Sequence, residues 1–331
     1  MKYKELILSA AKMVWHNKYL WFFGLFAAFL ANSEIYKFSG QPSDWTVAWQ
    51  KLKDTGLFDA DIFSKMFDLA QYDPLGLVWR LLVLLAVLIL AIFILWLAVV
   101  SQGALINNVA KIALGKRVNF KEGVTGGRAN LWPVFFFKVI EKVVVIALAA
   151  LSFLPALAVL NFSLNYWWRA LYFIIVMAII IIAALVILII RYSISYEIIK
   201  SLRFIEALGA GFKLFKNNWL VSIESGVVIF VANFLLSMIA LMLASALTIP
   251  FVLLMFVFYK IAFVWGTTIT LTAGIAVLFI LVVLVGGMIY AFNDAFWTLF
   301  FLKLSRENVS SWLGSMFFRR RAASINKSLP R

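Results

Sequence analysis

The sequence contains no cysteine and only one histidine, His16. Without cysteine there is no disulfide framework, thiolate nucleophile or cysteine-ligated metal site, and the redox compartment stays open. One histidine excludes a multi-histidine metal cluster. The sequence has no Gly-x-x-x-x-Gly-Lys-Ser/Thr phosphate loop and no Gly-x-Ser-x-Gly elbow that could work with His16. We therefore expect no catalytic residues, no metal and no cofactor.

Charged residues are also scarce. They make up 14% of the 331 residues, whereas 65% are hydrophobic. A soluble protein carries about 25% charged and about 45–50% apolar residues. So few charges cannot cover the surface of a water-soluble protein of this length, which leaves the class of multi-spanning membrane proteins.

Long apolar runs predict an all-α fold with six transmembrane helices, because a crossing of about 30 Å takes about 20 apolar residues. Pro250 interrupts the apolar stretch that begins at residue 219, since proline lacks a backbone donor and clashes with the preceding turn. We therefore expect residues 251–265 to form a separate half-helix or re-entrant segment. The six predicted spans are 19–31, 78–100, 133–160, 171–190, 219–246 and 271–292.

The distribution of charge predicts the orientation of these spans. Residues 1–18, 102–132, 191–218 and 303–331 carry net charges of +3, +4, +3 and +6, whereas residues 32–75 carry −3. Basic segments stay in the cytoplasm. Both termini are thus predicted to be cytoplasmic in a plasma or inner membrane. A seventh span would place the +6 segment outside and is rejected.

The same charge pattern suggests one membrane domain over residues 1–331, with an extracytoplasmic insert at 32–75 and a basic tail at 303–331. The insert is too small for an independent core. We expect it to cap the outer ends of the spans, with partner recognition as the alternative.

A short motif occurs three times, each time before a predicted span. An aromatic residue, any residue and a glutamate form segments 3–5, 120–122 and 204–206, and Gly127 and Gly211 follow the last two at the same offset. Repeats of this kind indicate an architecture built from one unit. Three units are predicted, each an interfacial amphipathic helix followed by a pair of spans.

Two segments resemble signatures of a known family. Residues 15–21, Trp-His-Asn-Lys-Tyr-Leu-Trp, are similar to a His-Pro-Lys-Leu-Trp motif, and residues 205–219 are similar to a second signature. The family comprises six-span bacterial proteins: the membrane domain of glycerophosphodiester phosphodiesterases and the YciC-like inner-membrane proteins. Asn17 stands in place of the usual proline, and the 32–75 insert is longer than expected. Residues 303–331 are too few for a phosphodiesterase domain. The resemblance implies a membrane role in lipid or envelope homeostasis and transfers no catalytic residue.

Five ionisable residues fall inside or near the predicted spans, where charge is costly and often functional. We hypothesise a buried polar cluster in which Lys138 or Lys142 pairs with Asp294 and Glu224, with Glu141 at similar depth. The alternative is a structural role, in which the pairs lock helices together or the lysines extend to the headgroups.

Basic residues near the membrane form a second candidate set. Arg319, Arg320 and Arg321 lie in the tail, and Lys213 and Lys216 lie on the third predicted interfacial helix. Basic residues at a membrane surface attract anionic lipid, each by about 1 kcal/mol. Retention of topology is the alternative role of the tail.

The favoured function is a non-enzymatic integral membrane protein that acts through membrane lipids or membrane partners. The alternative is a small-solute or ion transporter that uses the intramembrane cluster. A transporter requires a deep polar pocket containing Asp294, whereas a lipid-binding protein requires a lateral groove near the interfacial helices. The net charge of +15 is explained by topology, and nucleic acid is not an expected partner.

Overall fold

The computed structural model describes residues 3–31, 72, 74–161 and 166–306. Within these ranges the chain is all-helical, with nine helices and no strand. The helices are α1 (Tyr3–His16), α2 (Tyr19–Ala31), α3 (Pro74–Ala113), α4 (Phe120–Ala129), α5 (Leu131–Asn161), α6 (Tyr166–Lys200), α7 (Phe204–Asn217), α8 (Trp219–Lys260) and α9 (Val264–Leu304).

Several of these helices are long and apolar enough to cross a membrane. In the described ranges there are four, at Val78–Ala113, Ala170–Lys200, Trp219–Lys260 and Val264–Leu304. Four of the predicted spans lie inside them, and the other two lie in α2 and α5. The all-helical class is confirmed, and the long apolar helices agree with a multi-pass membrane protein. The number of six crossings stays a prediction.

The chain divides into two compact units. Unit 1 combines Met1–Ala28 with Val99–Arg331, and unit 2 is Phe29–Ala98. The described part of unit 2 includes the first turns of α3, whose apolar side chains, such as Leu82 and Ile89, are largely exposed. The prediction of a single membrane domain remains untested. Residues 32–71, most of the predicted insert, and 307–331 of the tail lie outside the described residues.

The predicted interruption at Pro250 is wrong. The proline lies inside α8, which continues as one helix from Trp219 to Lys260. Pro250 removes the N–H that would bond to the carbonyl of Ala246, four residues earlier, and an apolar helix tolerates such a loss. The chain reverses at residues 261–263 instead, where Ala262 adopts a left-handed φ of 54°. Residues 251–265 therefore form no separate half-helix.

Unit 1 is buried at one end of its long helices. In α9, residues 290–304 are almost all buried, and in α8 the last buried residue is Ile229. Beyond this core α8 packs along α9 and α5 along α6, as two antiparallel hairpins. Gly274 of α9 allows the close approach in the first hairpin, because a Cβ there would lie 3.1 Å from the Phe251 ring.

Helices α1, α4 and α7 begin at the three positions predicted for interfacial helices; α4 and α7 precede long apolar helices, and α1 precedes the shorter apolar helix α2. Their interfacial location stays a prediction. α4 packs on α3 through Gly127, which contacts Val100 and Ala104. α7 packs on α6 through Gly211, which contacts Ile189 and Ser193 with the same four-residue spacing. α1 packs on α9. The triple repeat stays a prediction.

The described parts of α2 and α9 in unit 1 cross through two glycines. Gly24 lies against the carbonyl of Gly287 and the side chain of Ala291, and Gly287 lies against the carbonyl of Trp21. No Cβ fits at either position, whereas Gly286 faces open space. Small residues permit this close backbone approach between apolar helices. The crossing anchors α2 beside the buried end of α9.

Candidate functional site

A small polar cavity lies inside the buried core of unit 1. Its lining includes Gln102 of α3, Lys138 of α5, Arg191 of α6, and Asp294 and Trp297 of α9. The long helices that end in the core thus each contribute a polar side chain. The cavity measures about 10 Å³, which is room for one water molecule. It cannot admit an organic solute.

Two ion pairs surround this cavity. The Nζ of Lys138 lies 2.8 Å from Oε2 of Glu141, one turn along the same helix. A guanidinium nitrogen of Arg191 lies 3.9 Å from Oδ1 of Asp294, and the guanidinium carbon lies 5.3 Å from the centre of the Trp297 ring. Asp294 thus has Arg191 as an ion-pair partner that the sequence analysis did not name, and Lys138 lines the same cavity. The pairing of Lys138 or Lys142 with Asp294 and Glu224 stays a hypothesis.

Some polar atoms around the cavity have no hydrogen-bond partner among the described residues. They include Oδ2 of Asp294, Oε1 of Gln102 and one guanidinium nitrogen of Arg191. A buried polar atom without a partner costs about 1–3 kcal/mol. One water molecule at the cavity can make two to four hydrogen bonds. The Arg191–Asp294 ion pair thus joins α6 to α9 beside a cavity with room for one water molecule.

Glu224 belongs to a different polar cluster, at the start of α8. The Tyr3 hydroxyl donates a 2.5 Å hydrogen bond to Oε2 of Glu224, and burial, reinforced by this bond, raises the pKa of the Tyr3 phenol. Nearby, the Tyr192 hydroxyl donates a 2.8 Å hydrogen bond to Ser222. The cluster ties α1 and α6 to α8. Glu224 thus accepts a hydrogen bond from Tyr3, and Asp294 pairs with Arg191.

An apolar groove lies between α1, α8 and α9. It measures about 300 Å³ and is lined only by apolar side chains. It begins one helical turn beyond Tyr3 of the Tyr3–Glu224 pair. We call it the acyl groove, and its lining residues are Ile7, Ala11, Val14, Trp15, Ala232, Leu235, Leu236, Met288, Ile289 and Phe292.

The remaining predicted residues occupy different places. Lys213 and Lys216 are exposed on α7, Lys142 is half-buried on α5 outside the cavity lining, and Arg319, Arg320 and Arg321 lie outside the described residues. Arg191 and Gln102 were missed, because the predicted spans ended just before them. The apolar residues that recur at helical spacing after Gln102, such as Leu105 and Val109, are the signal that α3 continues.

Comparison with protein-family models, curated proteins and solved structures gives no match.

Proposed function

We propose that this chain is a non-enzymatic multi-pass membrane protein that holds membrane lipid in the acyl groove and serves lipid or envelope homeostasis. The single observation that carries the proposal is the groove itself, which lies between α1, α8 and α9 and has only apolar lining. A groove near the interfacial helices is the feature expected of a lipid-binding protein, whereas a transporter would need a deep polar pocket containing Asp294. Each CH₂ group that leaves water contributes about 0.8 kcal/mol.

The position of the groove supports a lipid occupant. α1 begins at the Tyr3–Glu224 pair near the cytoplasmic end predicted for α8, and the groove continues from Ile7 towards Trp15. A polar start followed by an apolar channel matches the order of headgroup and acyl chain. Trp15 is 61% exposed, as suits an amphipathic ring at a membrane boundary.

The transporter alternative has less support. Its required feature is a deep polar pocket around Asp294, but the cavity there holds about one water molecule. Arg191 and Asp294 are also engaged with each other and with Trp297. These contacts favour a structural role for the ion pair over a solute pathway.

The packing of the short helices supports the proposed threefold repeat and the resemblance to six-span bacterial membrane proteins. Gly127 and Gly211 make equivalent contacts with the helix before them, and α1 packs on α9. We further propose six crossings in a plasma or inner membrane with both termini in the cytoplasm.

The lipid proposal is tested by filling the groove. Ala232 lines the groove, whereas Ala246 is exposed on the same helix away from it. After purification in mild detergent, native mass spectrometry should detect phospholipid on the wild type and on Ala246→Phe. Ala232→Phe should retain at least about tenfold less phospholipid, equivalent to about 1.4 kcal/mol of binding free energy, because the phenyl ring occupies the space of the acyl chain. Equal retention by the two variants would refute the proposal.

The orientation is tested by single-cysteine labelling, which is clean because the chain has no cysteine. In intact cells, a membrane-impermeant maleimide should label Asp54→Cys in the insert directly. Lys116→Cys in the exposed loop between α3 and α4 should react only after permeabilisation. Labelling of position 54 from the cytoplasmic side alone would overturn the topology.

A further inference from the structure

A second groove, which we call the aromatic groove, lies where α5 begins, α6 ends and α7 begins. It measures about 380 Å³. Its walls include Trp132 and Phe136 of α5 and Phe204 of α7, and Glu197 of α6 lies among them. Trp132 and Phe136 stack with their ring centres 5.7 Å apart. The groove thus combines aromatic faces with one carboxylate.

The carboxylate of Glu197 belongs to the lining of the groove. Its Oε2 atom is buried and has no hydrogen-bond partner among the described residues. The nearest cation along the chain, Lys200, places its Nζ 5.1 Å from the centre of the Tyr196 ring instead. A buried carboxylate oxygen without a partner is costly, so a cation that enters the groove gains both charge pairing and a hydrogen bond.

The combination points to a particular class of cation. Aromatic faces attract ammonium groups through the negative potential of the ring, and recognition of alkylammonium ligands commonly uses several such rings. Metal ions, by contrast, require several hard or nitrogen ligands, and Glu197 alone supplies one. We propose that the aromatic groove binds the ammonium group of a zwitterionic phospholipid headgroup.

The surroundings of the groove fit the rest of such a headgroup. Lys200 and Arg203 are exposed at the end of α6 and just before Phe204, which lines the groove, so that basic residues lie next to the groove along the chain. A phosphate beside the ammonium group finds its counter-charge there. Trp132, 64% exposed, precedes the apolar run of α5 and marks the depth of the headgroups.

The headgroup site adds a lipid class to the proposed lipid function, and it rests on the proposal that the protein lies in a membrane and binds lipid. It differs from the acyl groove in position and chemistry, because the acyl groove has no charged lining residue. The two can therefore fail independently. Substitution of Glu197 should change which lipid is bound, whereas substitution of Ala232 should lower the total amount of bound lipid.

The test uses the full chain reconstituted in nanodiscs of equal amounts of phosphatidylethanolamine and phosphatidylglycerol. After release into mild detergent, native mass spectrometry should show phosphatidylethanolamine enriched on the wild type by about fivefold over the bilayer ratio. Glu197→Gln keeps the shape of the side chain and should return the ratio to that of the bilayer. Phe136→Leu should lower the enrichment as well.

Glu206→Gln is the matched control. Glu206 is exposed on α7, where it accepts a 3.4 Å hydrogen bond from the backbone of Arg203, and glutamine can keep that bond. This variant should retain the wild-type enrichment. Free phosphoethanolamine is then added as a competitor. Displacement of the lipid shows that the headgroup alone is sufficient for binding. Failure to displace it shows that the membrane-anchored lipid is the ligand.

Two results would overturn the headgroup site. One is a wild-type ratio equal to that of the bilayer, and the other is an unchanged enrichment in Glu197→Gln. If Glu197→Gln fails to change the ratio while Ala232→Phe still loses lipid, the headgroup site is refuted and the acyl groove stands. If neither variant differs from the wild type, both sites are refuted.

Discussion

At the scale of single residues, the Arg191–Asp294 pair is the main polar link between α6 and α9. Both groups leave water on folding, and their 3.9 Å separation makes their mutual attraction modest. A buried pair of this kind adds little net stability, but the loss of one partner leaves an uncompensated charge in a low-dielectric site. The pair therefore specifies how the helices meet more than it strengthens their contact.

This account predicts a non-additive response to substitution. Asp294→Leu should lower the free energy of unfolding by about 3 kcal/mol, because Arg191 then stays buried without a counter-charge. The double variant Arg191→Met with Asp294→Leu should recover part of that loss. Thermal unfolding in detergent of the wild type, both single variants and the double variant gives the coupling energy. Additive losses would mean that the two side chains act independently.

The sequence predicted that Asp294 and Glu224 need explanation, but it could not supply their partners. Arg191 was assigned to a cytoplasmic loop because a polar residue at the end of an apolar run looks like the end of a span. Tyr3 and Glu224 are 221 positions apart, and only the packing of α1 on the core brings them together. Which side chains meet across helices depends on tertiary packing, and the spacing of residues along one sequence does not predict it.

At the scale of elements, the short helices are held by glycines, and α7 contains a natural comparison. At Gly211 an added Cβ would lie 2.9 Å from the backbone nitrogen of Ser193 and 3.0 Å from the carbonyl of Ile189. At Gly209, on the same helix, nothing lies within 4 Å. The two positions share a helix and differ in their neighbours.

Alanine substitutions should therefore have opposite effects at these positions. Gly209→Ala should stabilise the protein by about 0.5–1 kcal/mol, since alanine favours the helix. Gly211→Ala should destabilise it by about 1–3 kcal/mol, because the backbone of α6 must move to relieve the overlap. Thermal unfolding in detergent measures both. Equal stability of the two variants would contradict the close packing of α7 on α6.

Helix positions could be read from the sequence better than helix ends. The first residues of α1, α4 and α7 coincide with the aromatic residues of the triple motif, because each motif marks the start of a helix before a span. The predicted spans end at residues 100 and 190, whereas the helices α3 and α6 that contain them end at Ala113 and Lys200. Proline was given too much weight at residue 250, where a helix surrounded by lipid has no water to replace its hydrogen bonds and so continues.

At the scale of the whole chain, the lengths of the helices explain the scarcity of charge. α8 has 42 residues, or about 63 Å at about 1.5 Å per residue, which is roughly twice the thickness of the hydrocarbon layer. Tilting accommodates only part of such an excess, and the rest of the helix extends beyond the hydrocarbon layer. Beyond Ile229 no residue of α8 is buried, so these apolar surfaces need lipid around them, and only the core can hold buried charges.

The central claim is that lipid occupies the acyl groove in preference to other apolar surfaces. Photo-crosslinking in liposomes with a phospholipid that carries a diazirine on its acyl chain, followed by mass spectrometry of the peptides, tests this most directly. Groove occupancy predicts that adducts concentrate at residues 7–15, 232–236 and 288–292 and disappear from them in Ala232→Phe. Leu241 and Met242, 68% and 66% exposed outside the groove, provide the comparison. Labelling that follows exposure alone, with residues 241–242 ahead of the groove, would contradict the account.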